Sequence, residues 1–132
     1  MKPFLVDTHC HIHFPPYDQD RAAVLERMRA EQMWAVTIGT SLETSRRGIE
    51  FTDRTDGVWC TVGLHPEHLT NSYEDPNEGE VGERSADRAS IVALAKTSKK
   101  VVAIGETGLD WYRMDVASDE GKAKQEAAFQ EH

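Results

Sequence analysis

Short apolar runs recur along the chain and alternate with longer polar stretches. Four of them, at 4–6, 34–39, 58–63 and 100–105, are apolar without the strict alternation of a half-buried strand. Continuous apolar strands are typical of a parallel sheet that is covered on both faces. The pattern therefore predicts four parallel strands, all of them buried.

Stretches with helical spacing follow these runs. In the stretch 18–32, Val24, Leu25 and Met28 fall on one helical face. The other predicted helices cover 41–55, with Ser41 as N-cap, 87–99, and 119 to the last residue. Four strand–helix units joined by turns indicate an α/β protein.

The stretch 70–87 interrupts this regularity. It contains Pro76, two glycines and many acidic residues, so we predict a loop that is too hydrophilic to pack. The whole chain of 132 residues is about the length of one ordinary domain. We therefore expect a single domain over 1–132.

Charge and cysteine content narrow the possible functions. The formal net charge is −8, so a broad basic surface for nucleic acid is not expected, and phosphate chemistry would need a local positive centre such as a metal ion. Cys10 and Cys60 lie far apart and outside any Cys-x-x-Cys spacing, which favours reduced thiols. The chain shows neither a signal-peptide pattern nor an apolar stretch of membrane-spanning length, so we expect a cytoplasmic protein that does not enter a membrane.

Three histidines lie at alternate positions after the first apolar run, at His9, His11 and His13. Side chains two residues apart share a face of an extended chain, so His9 and His11 would lie together with Asp7. Two neutral imidazoles form half of a divalent metal site, although strand-end histidines can also bond only backbone or water. Asp7 could orient an imidazole or cap a turn. Two prolines closely follow His13, so we expect it in a loop near the site and not among the ligands.

Two other predicted strands also end beside a ligand-type residue. Glu106 follows the fourth run and His65 follows the third. Functional groups collect at the carboxyl ends of parallel strands, and three of the four ends here carry His or Glu. This coincidence favours a metal site, while a solvated rim residue is the alternative for each residue taken alone. Trp111 and Arg113 could hold an anionic substrate or belong to an ordinary loop.

Three separated motifs carry a resemblance to a known family. LVDTHCHIHF, TVGLHPE and VVAIGETGLDWYR, in this order and each at a predicted strand end, resemble the TatD family of metal-dependent deoxyribonucleases, which belongs to the amidohydrolase-like TIM-barrel hydrolases. The segment KQEAAFQEH is similar to the start of that family's next helix. The resemblance implies a (β/α)₈ barrel, of which this chain would form the N-terminal half as four βα units.

The resemblance also assigns roles to individual residues. His9 and His11 match the family's H-x-H metal ligands, and Glu106 matches the catalytic carboxylate that can bridge two ions. The substrate-binding positions are matched by His65, near the substrate phosphate, and by Asp110 and Arg113. The implied cofactor is one or two divalent ions, Mg²⁺, Mn²⁺ or Zn²⁺, which would activate a water for attack on a DNA phosphodiester.

The chain departs from the family pattern in three respects. His13 stands where such proteins commonly show an acidic or other polar residue, and the stretch 71–87 is longer than the usual link. A (β/α)₈ barrel takes about 250 residues, and the family's remaining ligands, two His and an Asp, lie on later strands. We therefore expect an incomplete site and open strand edges, covered by a missing C-terminal half or by self-association.

Alternative functions remain beside DNA cleavage. The same fold and metal site serve hydrolases of amides, lactones or small phosphoesters, and the stretch GETGLDWYR favours the nuclease among them. The missing ligands instead favour a truncated, catalytically silent half-barrel that acts as an interaction or metal-storing module.

Overall fold

The computed structural model describes residues 2–70, 75–112 and 119–132. Within these ranges, four strands pair in parallel in the order β1-β2-β3-β4, with helices between them along the chain. The predicted α/β class and parallel sheet are therefore confirmed. The elements are β1 Leu5–Cys10, α1 Arg21–Ala30, β2 Met33–Thr37, α2 Leu42–Asp53, β3 Val58–Val62, α3 Glu67–Thr70, α4 Arg88–Ala95, β4 Val101–Ile104 and α5 Asp119–Glu131.

Local sequence signals explain where several elements begin. Ser41 is the N-cap of α2, as predicted: its hydroxyl accepts the Thr44 N–H, and Thr44 Oγ1 accepts the Ser41 N–H. β1 continues past the apolar run to Cys10, because β2 supplies parallel partners as far as the pair Cys10–Thr37. None of the helices in the described ranges is long and apolar enough to cross a membrane.

The core lies between the two central strands and the helices. One cluster consists of Ile49, Cys60, Val62 and Ile91, and it joins α2, β3 and α4. A second consists of Ile12, Ala35 and Val58, and the three apolar residues predicted on one face of α1 pack against it, partly buried. The core therefore anchors β2 and β3 from the helix-covered side.

The prediction that all four strands are buried is wrong for the two outer strands. Leu5 of β1 is 54% exposed and Val102 of β4 is 53% exposed, whereas Val62 of β3 is 0% exposed. A barrel interior becomes buried only when the sheet closes on itself. The four strands leave β1 and β4 as open edges, so their apolar residues stay exposed.

His13 lies in the turn after β1, as predicted, but its ring is buried and does not reach the rim of the site. It is 8% exposed, and its Nδ1 lies 2.6 Å from Thr37 Oγ1. The turn after β1 carries its ring to the helix-covered side of the sheet, where a Cβ on Gly48 of α2 would lie 3.6 Å from it. Burial lowers the pKa of His13 to about 3, and the His11 and Arg47 side chains act in the same direction. This histidine is thus a neutral core residue.

The described part of the polar loop, 75–87, packs more closely than its composition predicts. Glu78 is 9% exposed, and its Oε2 lies 3.1 Å from His68 Nε2. Arg47 of α2 donates to the backbone carbonyls of Glu78 and Glu80 at 2.7 and 2.8 Å. Polar side chains of α2 and α3 thus hold this part of the loop against the fold.

Candidate metal centre

The carboxyl ends of β1, β3 and β4 meet in one cavity of about 800 Å³. β1 and β4 are opposite edges of the sheet, and strands spaced about 4.8 Å apart would place them about 14 Å from each other if the sheet were flat. His9 Nε2 nevertheless lies 3.9 Å from Glu106 Oε2. Curvature of the sheet, together with the reach of the two side chains, closes this gap. The predicted site residues that line the cavity are His9, His11, His65, Glu106 and Asp110.

His9, His11 and Glu106 form the first group of ligand-type side chains. They offer ligand atoms that all lie within 4.8 Å of one another. Ligand atoms bound about 2.1 Å from one ion can lie no further than about 4.2 Å apart, so small side-chain adjustments would complete the geometry. Two imidazole nitrogens and a carboxylate oxygen suit Zn²⁺ and Mn²⁺. The structure thus brings together the three residues that the sequence predicts as metal ligands.

The hydrogen bonds of His11 make it suitable as a ligand. Its Nδ1 lies 3.1 Å from the Ile38 carbonyl oxygen, which can only accept, so Nδ1 carries the proton. The lone pair of Nε2 is consequently available to a metal ion. The Phe14 ring stacks on the imidazole at a centroid distance of 4.6 Å and fixes its plane.

Asp7 acts on the backbone beside this group. Its Oδ1 accepts the backbone N–H of His9 at 2.9 Å. Asp7 and His9 both lie within β1, so this contact satisfies a strand N–H and is neither of the two roles that the sequence allows for Asp7. The His9 side chain is 55% exposed and lies edge-on to His11, with ring centroids 5.3 Å apart.

Glycines allow the turn that presents Glu106. The Glu106 N–H donates to the Gly39 carbonyl at 2.8 Å, which ties the end of β4 to the end of β2 across β3. A Cβ on Gly63 would lie 2.5 Å from the Gly105 carbonyl carbon, so no larger residue fits there. The close approach of these two backbones brings the Glu106 carboxylate over the end of β3.

His65 carries its proton on the other ring nitrogen. Its Nδ1 accepts the backbone N–H of Glu67 at 3.1 Å, so the neutral ring bears its proton on Nε2. This Nε2 lies 3.7 Å from Glu106 Oε1. His65, Glu67 and Asp110 also form a group with ligand atoms within 4.8 Å, but this tautomer makes His65 a hydrogen-bond donor and not a ligand. Glu67 is not among the predicted site residues, although it belongs to the TVGLHPE motif.

The segment after Glu106 is only partly described. Asp110 lies at the cavity, where both of its backbone polar groups bond to the side chain of Gln125. Trp111 is 47% exposed, and the Lys122 ammonium lies 5.0 Å from the centre of its ring. Arg113, predicted to contact the substrate, lies outside the described residues.

The cavity is lined by acidic residues. Among the described lining residues there is no Lys or Arg, and the carboxylates are those of Asp7, Glu67, Asp75, Glu78, Glu106 and Asp110. Such a surface attracts cations and repels phosphate. A phosphate substrate would therefore need bound cations in this cavity, as the overall charge suggests.

The two cysteines are free, in line with the predicted reduced state. Cys10 is the last residue of β1 and lies between His9 and His11 in the sequence. Its Sγ lies 3.5 Å from the Val36 carbonyl oxygen. Burial raises the pKa of the Cys10 thiol. Because metal ions bind the thiolate, Cys10 is a poor candidate for an additional ligand.

Comparison with known proteins gives matches over almost the whole chain. The model of the family described as TatD related DNase matches residues 6–132. A protein of Cronobacter turicensis named 3'-5' ssDNA/RNA exonuclease TatD is 35% identical over 128 residues, which are 96% of this chain and 43% of that protein. An uncharacterized metal-dependent hydrolase of Buchnera aphidicola is 32% identical over 135 residues, which are 98% of this chain and 44% of that protein.

A solved structure agrees with the architecture. The crystal structure of YjjV, a TatD homologue from Escherichia coli K12, superimposes with a TM-score of 0.70 at 27% identity and covers 96% of this chain. The chain spans 44% of the YjjV chain, so it corresponds to less than half of that protein. The predicted fold, four βα units of the N-terminal half of a TIM barrel, is confirmed. Because the family model matches from Val6 to His132 and the three motifs meet in one cavity, this chain belongs to the family of TatD-related DNases.

Proposed function

We propose that this chain is part of a divalent-metal-dependent hydrolase that cleaves phosphodiester bonds in DNA. The observation that carries the proposal is the pairing of two opposite histidine tautomers around Glu106. His11 offers a free nitrogen lone pair beside Glu106, and His65 offers an N–H on the carboxylate's other side. This arrangement supports a metal ligand next to a side chain that could donate a hydrogen bond to a phosphate group. The exonuclease name of the Cronobacter relative supports a nucleic-acid substrate.

Different residues would bind the metal ion and the substrate. His9, His11 and Glu106 would hold one divalent ion, Mg²⁺, Mn²⁺ or Zn²⁺, and a second ion could share Glu106. When bound, such an ion acidifies a water and neutralises phosphoryl oxygens. The His65 Nε2–H would donate to a phosphoryl oxygen, while Asp110 and Arg113 would border the nucleotide. The acidic walls of the cavity would repel the strand wherever no cation intervenes.

The proposal is tested with the complete enzyme of which this chain is part and a 5′-labelled single-stranded oligonucleotide. We expect release of nucleotides with Mg²⁺ or Mn²⁺, none with EDTA, and about a 100-fold lower rate for Glu106→Gln. Glu126→Gln, which removes the same charge from an exposed position of α5, is the matched control and should retain the wild-type rate. A loss of less than tenfold in Glu106→Gln would contradict the role of this carboxylate.

A second substrate class is compatible with the same metal group. Amides, lactones and small phosphoesters place a polarised oxygen at the ion in the same way. Turnover of a cyclic amide in the absence of any cleavage of DNA ends would favour that class. The nuclease is preferred because His65 and the segment from Glu106 to Tyr112 form a wall suited to a larger substrate than the metal group alone requires.

We further propose that the open edges of β1 and β4 are covered in the working enzyme, either by a C-terminal half or by a second copy of this chain. Phe4 is 88% exposed and Ile104 is 41% exposed, so each edge presents apolar side chains beside unpaired strand backbone. A folded but inactive monomer with metal bound would instead support the silent half-barrel. Sedimentation velocity combined with the oligonucleotide assay separates these outcomes.

We also propose that the protein works in the cytoplasm, and the free thiols support this.

A further inference from the structure

One glutamine of α5 is buried, although most side chains of this helix are exposed. Gln125 is 0% exposed, and Gly121 is the other buried residue of α5. A buried amide costs free energy unless its donors and acceptor are bonded. The partners of Gln125 therefore indicate what this side chain holds in place.

Those partners belong to the two loops that line the cavity. Gln125 Oε1 accepts the Asp110 N–H at 2.9 Å, and Gln125 Nε2 donates to the Asp110 carbonyl at 2.7 Å. Nε2 also lies 3.3 Å from the carbonyl of Pro66, the residue after His65. One amide thus pairs with both backbone groups of Asp110 and links them to the loop that carries His65.

The residue after α5, His132, holds the other side of the His65 loop. His132 Nε2 accepts the Leu64 N–H at 2.9 Å, and its Nδ1–H donates to the Ala128 carbonyl at 2.8 Å. His132 directly follows α5 and lies seven residues after Gln125. The backbone on either side of His65 is therefore bonded to this end of the chain, at Leu64 by His132 and at Pro66 by Gln125 of α5.

We propose that Gln125 is a positioning residue for substrate binding, which sets His65 and Asp110 relative to Glu106 through their backbones. This inference rests on the proposed function, because it assumes that His65 contacts the substrate. Gln125 lies in the KQEAAFQEH segment and is not among the predicted site residues. An apolar side chain of similar size would also dock α5, but it could not bond both loops. The amide therefore has a use beyond packing.

The test compares Gln125→Glu and Gln125→Met with Gln130→Glu, an exposed position of the same helix. Gln125→Glu keeps the shape of the side chain but loses both N–H donors, and Gln125→Met removes the hydrogen bonds without adding a charge. For both variants we expect KM for the oligonucleotide to rise about tenfold or more. The Mn²⁺ affinity should stay within about twofold of wild type, since β1 and Glu106 do not contact α5 through Gln125. Gln130→Glu should match wild type in both measurements.

Nuclear magnetic resonance tests the positioning role of Gln125 without an activity assay. We expect wild-type His65 to show a single Nε2–H tautomer in its imidazole ¹⁵N shifts, and Gln125→Met to lose that uniform state together with a shift of the Glu67 amide. Unchanged His65 and Glu67 signals in Gln125→Met would overturn the inference. If the complete enzyme does not cleave DNA, the proposed function fails, and these signals still decide the role of Gln125.

Hydrogen exchange on the wild-type chain covers the case in which the variants do not fold. The Asp110 amide, bonded to Gln125, should exchange at least tenfold more slowly than the Tyr112 amide, whose partner is the Asp110 carboxylate. Equal exchange of the two amides would show that the Gln125 bonds do not persist in solution, and this would overturn the inference as well.

Discussion

The two central strands and the two outer strands of the sheet have similar sequences but different surroundings. Val62 of β3 is 0% exposed and Val102 of β4 is 53% exposed, although each lies within a continuous apolar run. The central strands pack against helices on one face and have a neighbour on each side. The outer strands each lack one neighbour, yet the metal-ligand candidates His9, His11 and Glu106 come from their ends.

Because of this difference, the stability of the fold and the geometry of the candidate site depend on different strands. The core that holds the sheet together is built on β2 and β3, whereas the metal group depends on how far the sheet curves to bring β1 towards β4. His65, at the end of a central strand, bears the tautomer of a donor, and His11, at the end of an outer strand, bears that of a ligand. Changes in the two regions should therefore affect different properties.

The largest expected effect is that of a charge in the central strand. Val62→Asp would bury an unpaired carboxylate and should lower the free energy of unfolding by about 4 kcal/mol. The matched change Val102→Asp should cost less than about 1 kcal/mol, because the side chain remains in water. Urea unfolding followed by circular dichroism measures both values. Similar losses in the two variants would contradict the distinction between the strands.

A smaller effect distinguishes the two groups of ligand-type residues. His9→Ala should weaken Mn²⁺ binding about 100-fold, or about 2.7 kcal/mol, because it removes one of the three ligand candidates. His65→Ala should change the affinity less than threefold, since its Nδ1 already accepts the Glu67 N–H. Isothermal titration calorimetry compares the two. Equal losses would assign His65 to the ligands.

The stability of the central region should depend on pH through His13. Its pKa is about 3 in the folded chain against an ordinary value of 6.5, so below pH 6.5 the unfolded chain takes up the proton and the folded chain does not. Stability is therefore full above pH 6.5 and falls as the pH decreases towards 3. We expect a loss of about 2 kcal/mol between pH 7 and pH 5.

The contribution of His13 is isolated by replacement. His13→Gln cannot titrate and should reduce the pH dependence by most of this amount, whereas His9→Gln, at an exposed side chain, should leave it in place. Urea unfolding at several pH values provides the comparison. A pH dependence that persists undiminished in His13→Gln would show that other groups cause it.

The smallest effect on stability is expected at the open edge. Phe4→Ser should change the free energy of unfolding by less than about 0.5 kcal/mol, because Phe4 is 88% exposed. If a second copy covers β1, the same change should shift the chain towards the monomer in sedimentation velocity. Phe129→Ser, at a half-exposed position of α5, is the control and should leave the oligomeric state unchanged. If Phe4→Ser leaves the proportion of monomer unchanged, a second copy of the chain does not cover this edge through Phe4.

Much of the fold follows from local patterns. The four apolar runs, the Ser41 cap and the order of strands and helices are encoded within a few residues of each element. The residues of the metal group were also predictable, because parallel strands end at one side of a sheet and His9, His11 and Glu106 lie at such ends. These inferences need the direction of each strand but not the shape of the sheet.

Other features depend on residues that are distant in the sequence. His11 and His13 are only two positions apart in the sequence, but a turn after β1 separates their side chains. His13 is buried against Thr37, whereas His11 faces the cavity. The polar loop packs through Arg47 and His68, which its own composition does not reveal. Gln125 belongs to the site through bonds to Pro66 and Asp110, and its local sequence shows only a polar helix.

The sequence alone thus determined the class of fold, the family and the residue types at the strand ends, because these depend on short-range periodicity and on motifs. The tertiary structure decided which strands are buried, how far the sheet curves to bring His9 within 3.9 Å of Glu106, and which ring nitrogen of each histidine carries the proton. The physical reason is that burial and hydrogen-bond partners are set by long-range contacts. A histidine becomes a ligand or a donor according to the backbone group it meets, and that group comes from another strand for His11 and from the following turn for His65.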